Sequence, residues 1–167
     1  ITPTNAEAIR YLRVAAGQQY SIGVFVFPAF SRIPLHDHPG MCVLSRVLYG
    51  EVRRTSFDLP RKERRTDGER SLAFQRPPDL LQAPDCAVLF PFEGNLHEFV
   101  AGPQGAAVLD VLMPSYDDGR DCTFYETQSV DEPMDLRDHN GDPCWIIPID
   151  QPGDFHCISG KYRKWEN

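Results

Sequence analysis

The sequence lacks three features that would each point to a class of protein: a long hydrophobic run, a cysteine framework and an excess of positive charge. No apolar stretch approaches the roughly 20 residues that a transmembrane helix needs, and no signal-peptide pattern opens the chain. The net charge of −7 at pH 7 argues against nucleic acid or an anionic membrane surface as the main partner. We therefore expect no membrane partner and no nucleic-acid partner.

The five cysteines are scattered, odd in number and without a Cys-x-x-Cys pair. This is a poor disulfide framework and a poor zinc-finger pattern, and it suits a reducing compartment. We expect a cytoplasmic protein, with the nucleus as a further compartment.

A length of 167 residues suits one domain that can bury a core without disulfides or a structural metal. Hydrophobic residues make up 41% of the chain and charged residues 25%, as in ordinary soluble globular proteins. We expect residues 1–167 to form a single domain and to act as a monomer.

Short β-rich runs dominate the chain and are separated by Gly, Pro and Asp. They include YSIGVFVF (20–27), MCVLSRVLYG (41–50), AAVLDVLM (106–113) and CWIIPI (144–149). Many short strands with turn signals between them indicate an all-β sandwich or small barrel.

The start of the chain carries a different pattern. Thr4 and Glu7 form a capping box ahead of the apolar residues Ile9, Leu12 and Val14. This pattern predicts a short N-terminal helix.

Lys and Arg are concentrated between Arg53 and Arg70, where the large apolar residues are Phe57 and Leu59. A nucleic-acid-binding patch would need interleaved aromatic residues, and the chain as a whole is acidic. We therefore expect a solvated hairpin loop.

Histidine is scarce, yet two of the five residues stand one residue apart in IPLHDHPGM (33–41). Along a β-strand, residues i and i+2 point to the same face, so the rings of His36 and His38 would converge. A polar strand end with solvated rings and half of a metal site are both compatible with this pair. A third ligand is needed to decide between them. His139 and His156 lie in polar stretches and are expected to be exposed surface residues.

A third histidine, His97, follows the turn at Gly94-Asn95 in PFEGNLHEF (91–99). Together, HDH and GNLH resemble the two signature motifs of the cupin superfamily, and this resemblance implies metal ligands at His36, His38 and His97. In most cupins a carboxylate completes the set, but Val43 stands at that position here. Three imidazoles can occupy one face of an octahedral ion and leave three positions open. Imidazole suits Fe, Zn, Cu and Ni alike, so ligand type alone does not choose the metal.

Longer stretches resemble one family, the thiol dioxygenases that include animal 2-aminoethanethiol dioxygenase and the plant cysteine oxidases. The resemblance runs from about Tyr20 to about Tyr125. It is carried by GVFVFPAFSRIPLHDHPGMCVLSRVLYGEV (23–52), GNLHEF (94–99), AAVLDVLMPSY (106–116) and DDGRDCTFY (117–125).

The resemblance implies a cupin double-stranded β-helix that holds a mononuclear non-haem Fe(II), with O₂ as co-substrate. It implies oxidation of a thiol to a sulfinic acid, the substrate being cysteamine or the N-terminal cysteine of a peptide or protein. In such enzymes the reaction marks a protein for the N-degron route of degradation and follows the oxygen supply. The three open positions agree with this chemistry, because a thiolate, an amine and O₂ can each take one.

The resemblance also implies catalytic roles for Asp110, Tyr116 and Cys122. Asp110 interrupts an otherwise apolar strand, and a buried carboxylate is costly unless it is paired, which favours a functional role. Tyr116 matches a tyrosine at the pocket mouth, although a packing role explains it nearly as well. Cys122 matches a cysteine that forms a thioether with a tyrosine two residues on. Because Phe124 occupies that position and Tyr125 would face the opposite side of a strand, we expect no such crosslink.

The positions of Lys and Arg in the sequence also indicate which thiol is the substrate. An enzyme for free cysteine must hold the substrate's carboxylate, which calls for a fixed Arg or similar cation. Only Arg46 lies within the apolar strands around the histidines. We therefore expect cysteamine or a Cys-initiated peptide as substrate, rather than free cysteine.

Two other functions remain open from the residues alone. A metal-dependent cupin with another specificity would use the same histidines, although it usually needs the carboxylate that Val43 replaces. A non-catalytic cupin would bind a ligand or use metal only for structure, but structural sites tend to be closed rather than open.

Overall fold

The fold is taken from a computed structural model, and the structure describes residues 8–61, 66–116, 119–131 and 140–161. The predicted capping box at Thr4 and Glu7, and His139, lie outside these residues. Within the described ranges, the regular structure consists of strands. They are β1 (Ile9–Ala16), β2 (Ser21–Phe27), β3 (Arg32–His36), β4 (Cys42–Asp58), β5 (Thr66–Asp67), β6 (Arg70–Gln75), β7 (Asp79–Gln82), β8 (Cys86–Leu89), β9 (Leu96–Met113), β10 (Phe124–Ser129), β11 (Asp142–Ile149) and β12 (Cys157–Lys161).

The all-β prediction is confirmed, but the N-terminal helix is wrong, because the residues meant to form its apolar face lie in β1. This strand pairs antiparallel with β2 and parallel with β12. Ile9 is buried, and the Tyr11 ring packs against Phe25 with 4.8 Å between centroids. Hydrogen bonding to two neighbouring strands outweighs the local preference that the capping box expresses.

Two long strands, β4 and β9, organise the molecule. They pair with each other along most of their length, and the register shifts on both sides of Gly50. Irregular pairing of this kind bends the paired strands. Gly50 has a φ of +67°, and a Cβ atom there would lie 2.1 Å from the carbonyl oxygen of Gly105. Only glycine therefore fits this corner.

The bend places the two halves of β4 and β9 in two facing layers. One layer contains β1 and β2 beside residues 106–113 of β9, and the other contains β3 beside residues 96–101. The main hydrophobic core lies between the layers and takes side chains from both. Its buried members are Ile9, Phe27, Ile33, Val47, Val52, Phe99, Ala101, Ala106 and Val108. This is the double-stranded β-helix that the resemblance implies.

A second core fills a closed ring of six strands, in the order β9–β3–β10–β11–β6–β4 and back to β9. Its buried members are Leu35, Phe57, Ala73, Leu96, Cys144 and Ile146. Since neighbouring residues of a strand point to opposite faces, β3 and β9 contribute Leu35 and Leu96 to this core and turn His36 and His97 the other way.

The predicted basic loop is wrong for much of its length. Residues 53–58 form the end of β4, and Arg70 opens β6. Arg54 is half-buried and donates two hydrogen bonds to the carboxylate of Asp79, its register partner in β7. Residues 62–65 lie outside the described part of the chain. Cross-strand pairing and ion pairing account for cations that the composition alone assigned to a loop.

The described residues include no helix that is long and apolar enough to cross a membrane.

Candidate metal centre

The structure brings the three predicted ligand histidines together. The ring centroids of His36, His38 and His97 lie 4.7, 4.9 and 4.8 Å apart, and their ligand atoms fall within 4.8 Å of one another. All three side chains are buried. His156 is exposed and stands outside this group, as expected.

Strand pairing positions two of the three rings. His36 is the last residue of β3 and stands opposite His97 in the antiparallel pairing with β9. The register shifts between Ile33 and His36, which sets the end of β3 against the start of β9. The two imidazoles therefore project from adjacent strands toward the same interior.

His38 lies beyond the end of β3, where Asn95 replaces the missing strand pairing. The His38 amide donates to Asn95 Oδ1 (3.1 Å), and Asn95 Nδ2 donates to the His38 carbonyl oxygen (2.7 Å). Asn95 is 1% exposed and also donates to the Phe90 carbonyl oxygen. Sequence reasoning read Asn95 only as a turn residue, although an amide next to a ligand histidine has the donors and acceptors that this role needs.

The ring hydrogen bonds fix which nitrogens can bind a metal. His36 Nδ1 lies 2.8 Å from the Pro34 carbonyl oxygen, and His38 Nδ1 lies 2.9 Å from the Asn95 carbonyl oxygen. Because a carbonyl oxygen only accepts, both Nδ1 atoms carry the proton. The Nε2 atoms of His36 and His38 are therefore left with free lone pairs for a ligand.

Burial keeps the rings uncharged. Desolvation lowers the pKa of His36 to about 4, and desolvation together with electrostatic repulsion between the His38 and His36 rings lowers the pKa of His38 to about 3. The pKa of His97 is also well below its usual value, again mainly because of burial. At neutral pH the three imidazoles are neutral, which is the state that binds a metal.

The donor set fits a first-row transition metal. Within the described ranges, the metal-binding group consists of these three histidines and includes no carboxylate or thiol. Val43, at the position where other cupins carry an acidic ligand, is 1% exposed and packs against Met41, Leu89, Leu112 and Tyr116. Three neutral nitrogens on one side of an ion leave the other side free for ligands brought by a substrate.

Aromatic rings surround the histidines. Phe99 stacks on His97 with 4.5 Å between centroids, and Phe124 lies 6.3 Å from His36. Phe124 in turn packs against Phe155 at 5.6 Å. These side chains cover the apolar sides of the ring cluster and exclude water from it.

Asp110 lies in the layer opposite the one that carries His36 and His97, and it pairs in register with Ser45. Its side chain points the same way as Val108 of the main core, and Ser45 Oγ donates a 2.6 Å hydrogen bond to Asp110 Oδ1. Both residues are buried. Burial raises the pKa of Asp110 to about 7, and the hydrogen bond from Ser45 opposes that rise. Sequence reasoning found Asp110 but not its partner.

Tyr116 lies beside His38, with 5.9 Å between ring centroids. Its hydroxyl donates a 2.6 Å hydrogen bond to the carbonyl oxygen of Asp37. Burial raises its pKa, and the neighbouring Cys122 adds to the shift. Tyr116 therefore lies between His38 and the hydrophobic cluster of Met41, Val43, Leu89 and Leu112.

The thiol of Cys122 lies close enough to the Tyr116 hydroxyl for each group to shift the pKa of the other. Although Cys122 is exposed as a residue, surrounding groups displace enough water from its thiol to raise its pKa to about 11. It is a thiol rather than a thiolate at neutral pH. Tyr125, by contrast, donates to Asp37 Oδ2 and packs against the core of the six-strand ring. The absence of a thioether between Cys122 and Tyr125 stays a prediction.

Comparison with known proteins identifies the family to which the chain belongs. The sequence profile of the PCO_ADO family matches residues 2–166. The 2-aminoethanethiol dioxygenase of Mus musculus is 31% identical over an alignment of 186 positions, which covers 96% of this chain and 72% of the mouse protein. Plant cysteine oxidase 1 of Arabidopsis thaliana is 39% identical over 121 positions, covering 70% of this chain and 41% of the plant protein.

The fold has a relative among solved structures. An uncharacterized conserved protein with a double-stranded β-helix domain from Klebsiella pneumoniae matches with a TM-score of 0.51 and 18% identity, over 75% of this chain and 90% of that chain. This likeness supports the fold alone. With the three-histidine site and the full-length profile match, the chain belongs to the PCO_ADO family of thiol dioxygenases.

Proposed function

We propose that the chain is an Fe(II)-dependent dioxygenase that oxidises the N-terminal cysteine of a peptide or protein to cysteine sulfinic acid, with cysteamine as a second substrate. The observation that carries this proposal is the buried cluster of three neutral histidines, which no carboxylate joins among the residues that the structure describes. Such a set leaves room for a substrate that brings its own anionic sulfur ligand.

The reaction balances without another reductant. A thiol R–SH and one O₂ give R–SO₂H, the sulfur losing the four electrons that the two oxygen atoms gain. A bound Fe(II) would supply the place where sulfur and O₂ meet and the route for electrons between them. His36, His38 and His97 would hold it, and Phe99 and Phe124 would keep water away from it.

Asp110 would accept and release a proton during the reaction at this site. With a pKa raised to about 7 by burial, its carboxyl group can release or accept a proton near neutral pH. A substrate that binds through its sulfur and its amine must lose a proton from each, and an α-amino group has a pKa of about 7.7–8.0. Ser45 fixes the Oδ1 atom of Asp110, which leaves Oδ2 as the atom that exchanges the proton.

The position of the arginines supports an amine substrate without an adjacent carboxylate. Arg46 is exposed on β4 and points away from the interior that Ser45 and Val47 face. Arg54 is close enough to His97 to affect its pKa, but its guanidinium is held by Asp79 through two hydrogen bonds. A Cys-initiated peptide carries an amide where free cysteine carries a carboxylate, so it needs no further cation.

One experiment tests this function. Purified protein is loaded anaerobically with Fe(II), and O₂ uptake and sulfinate formation are measured with a Cys-initiated peptide, cysteamine and free cysteine. We expect kcat/KM to be highest for the peptide and lowest for free cysteine. Free cysteine as the best substrate, or turnover that is unchanged after iron is removed, would refute the proposal.

The wider role follows from the product. Sulfinic acid is not reversed in most proteins, so the oxidised N-terminus is a lasting mark. We propose an oxygen-sensing role in an N-degron route, carried out by a monomer in the cytoplasm with the nucleus as a further compartment. A reporter that begins with Cys should be stable at low O₂ and degraded in air only when this enzyme is present.

A further inference from the structure

Asp37 separates the two ligand histidines of β3 and the following turn. In extended chain, a residue between two neighbours that face inward turns its own side chain outward. Asp37 therefore points away from the ring cluster, and sequence reasoning assigned it no function. The structure shows that its side chain and backbone meet the segment 119–125, here called the strap, which carries Cys122 and Phe124.

The backbone and side chain of Asp37 both bind Thr123 of the strap. The Asp37 amide donates to the Thr123 carbonyl oxygen (3.1 Å), and the Thr123 amide donates to Asp37 Oδ1 (2.9 Å). The other carboxylate oxygen, Oδ2, accepts a hydrogen bond from the Tyr125 hydroxyl (3.0 Å). Both ends of the carboxylate thus hold residues on either side of Phe124.

A second segment is attached at the same residue. The Tyr116 hydroxyl donates to the Asp37 carbonyl oxygen at 2.6 Å, while the Tyr116 ring lies against His38. Phe124 is the register partner of His36. The contacts of Asp37 therefore join the backbone between the ligand histidines to the two side chains that cover them, Tyr116 and Phe124.

We infer that Asp37 is a positioning residue that fixes the strap over the three histidines and holds the backbone between His36 and His38 in its metal-binding conformation. It acts through Thr123, Tyr125 and Tyr116 and touches neither metal nor substrate. The inference rests on the proposed metal centre. Removing a group that orients a metal ligand in this indirect way typically lowers metal affinity by about 10–100-fold.

Two substitutions at Asp37 separate positioning from general stability. Asp37→Asn keeps an oxygen that accepts from the Thr123 amide, and its NH₂ group can donate to the Tyr125 hydroxyl. Asp37→Ala removes both side-chain contacts. Asp67→Ala is a matched control, because Asp67 is an exposed acidic residue that pairs with Arg70.

The first readout is hydrogen exchange at the Thr123 amide in the metal-free protein, and the second is Co(II) or Fe(II) affinity measured by titration. For Asp37→Ala we expect at least tenfold faster exchange at Thr123 and at least tenfold weaker metal binding. For Asp37→Asn and Asp67→Ala we expect both quantities to stay within about threefold of wild type. Should Asp37→Ala fail to fold, Tyr125→Phe removes one of the two contacts and is expected to give a smaller change in the same direction.

The outcomes separate the inference from the function on which it rests. Unchanged Thr123 exchange and unchanged metal affinity in Asp37→Ala would overturn the inference, even if the enzyme is active. A failure of Asp37→Asn to restore either quantity would also overturn it. If wild-type protein bound no metal, the proposed function would fail, and Thr123 exchange would still report whether Asp37 holds the strap.

Discussion

The hydroxyl of Ser45 donates a 2.6 Å hydrogen bond to Asp110 in the interior of the fold, across two strands that are paired at these residues. This bond favours the ionised carboxylate, whereas burial favours the protonated form and prevails. The pair therefore holds a carboxyl group whose charge changes near neutral pH.

Replacing Ser45 should alter catalysis through Asp110. Ser45→Ala removes the donor, so the pKa of Asp110 should rise further and its orientation should be lost. We expect kcat/KM to fall about tenfold, with the fall mainly in kcat and the pH profile displaced to higher pH. Ser45→Thr keeps the hydroxyl and should restore most of the activity. Equal loss in both variants, with an unshifted profile, would show that Ser45 acts only in packing.

Asp110→Asn should stabilise the metal-free protein at high pH. The pKa of Asp110 is raised from 3.8 to about 7 in the folded state. Between these values the unfolded chain has released a proton that the folded chain retains, so the wild-type carboxyl group destabilises the fold increasingly as pH rises to 7. Relative to wild type, Asp110→Asn should gain about 1–2 kcal/mol in unfolding free energy between pH 5.5 and pH 8.5.

Urea unfolding of both metal-free proteins at the two pH values measures this difference. The depressed pKa values of His36 and His38 also make stability fall on acidification, but both proteins share that effect. The difference between them therefore isolates Asp110. A variant whose advantage does not grow with pH would mean that Asp110 is ionised in the folded state throughout this range.

Removing any ligand histidine should strip the metal. His97→Ala leaves two neutral nitrogens, and we expect iron content and turnover to fall to background levels. His156→Ala is the control, because His156 is exposed and lies outside the cluster. Iron content by elemental analysis, beside O₂ uptake, checks both. Wild-type iron content in His97→Ala would contradict the site.

Replacing Asn95 should weaken metal binding, although Asn95 is not itself a ligand. Asn95→Ala leaves the His38 amide and carbonyl oxygen without their partner, which should cost about 1–3 kcal/mol in unfolding free energy. Metal affinity should fall about 10–100-fold. Asn95→Asp should be no better than Asn95→Ala, since a carboxylate would face the carbonyl oxygens of His38 and Phe90. Full metal affinity in Asn95→Asp would contradict this account of the hydrogen bonds.

Charge should influence peptide turnover through association. With a net charge of −7, the protein should favour Cys-initiated peptides with Lys or Arg after the cysteine. Raising the salt concentration from 20 to 200 mM shortens the Debye length about threefold. This increase in salt should reduce the preference for basic peptides. The measurement is kcat/KM for matched basic and neutral peptides at both salt concentrations. A preference that is independent of salt would mean that local contacts, rather than net charge, select the peptide.

Ligand histidines could be found from the sequence because their spacing follows from strand geometry and from two short motifs. His36 and His38 are two residues apart, and His97 follows a Gly-Asn turn. Ser45 and Asp37 gave no such signal. Their importance depends on contacts with Asp110 and Thr123, which lie 65 and 86 residues away in the chain.

The wrong predictions have the same origin. The helix at the N-terminus is predicted from residues close together in the chain, but Ile9 pairs with Cys157 of β12 and Arg10 pairs with Val26 of β2. The basic loop was predicted from composition, but Arg54 is fixed by the β7 residue Asp79. In a fold built from strands that are distant in the chain, the secondary structure of a segment depends more on its distant partner strands than on its local sequence pattern.

The register pair His36–His97 has a consequence for how the enzyme matures. Two imidazoles emerge early during synthesis, but the third stands on β9 and faces them only after β3 and β9 have paired. Sheets formed from distant segments fold slowly, because the entropy of closing the intervening chain is lost before the contacts form. A nascent chain that ends before β9 can therefore offer iron only two of the three nitrogens. Iron loading should follow chain completion, and iron supply should limit how much folded protein becomes active rather than how much folds.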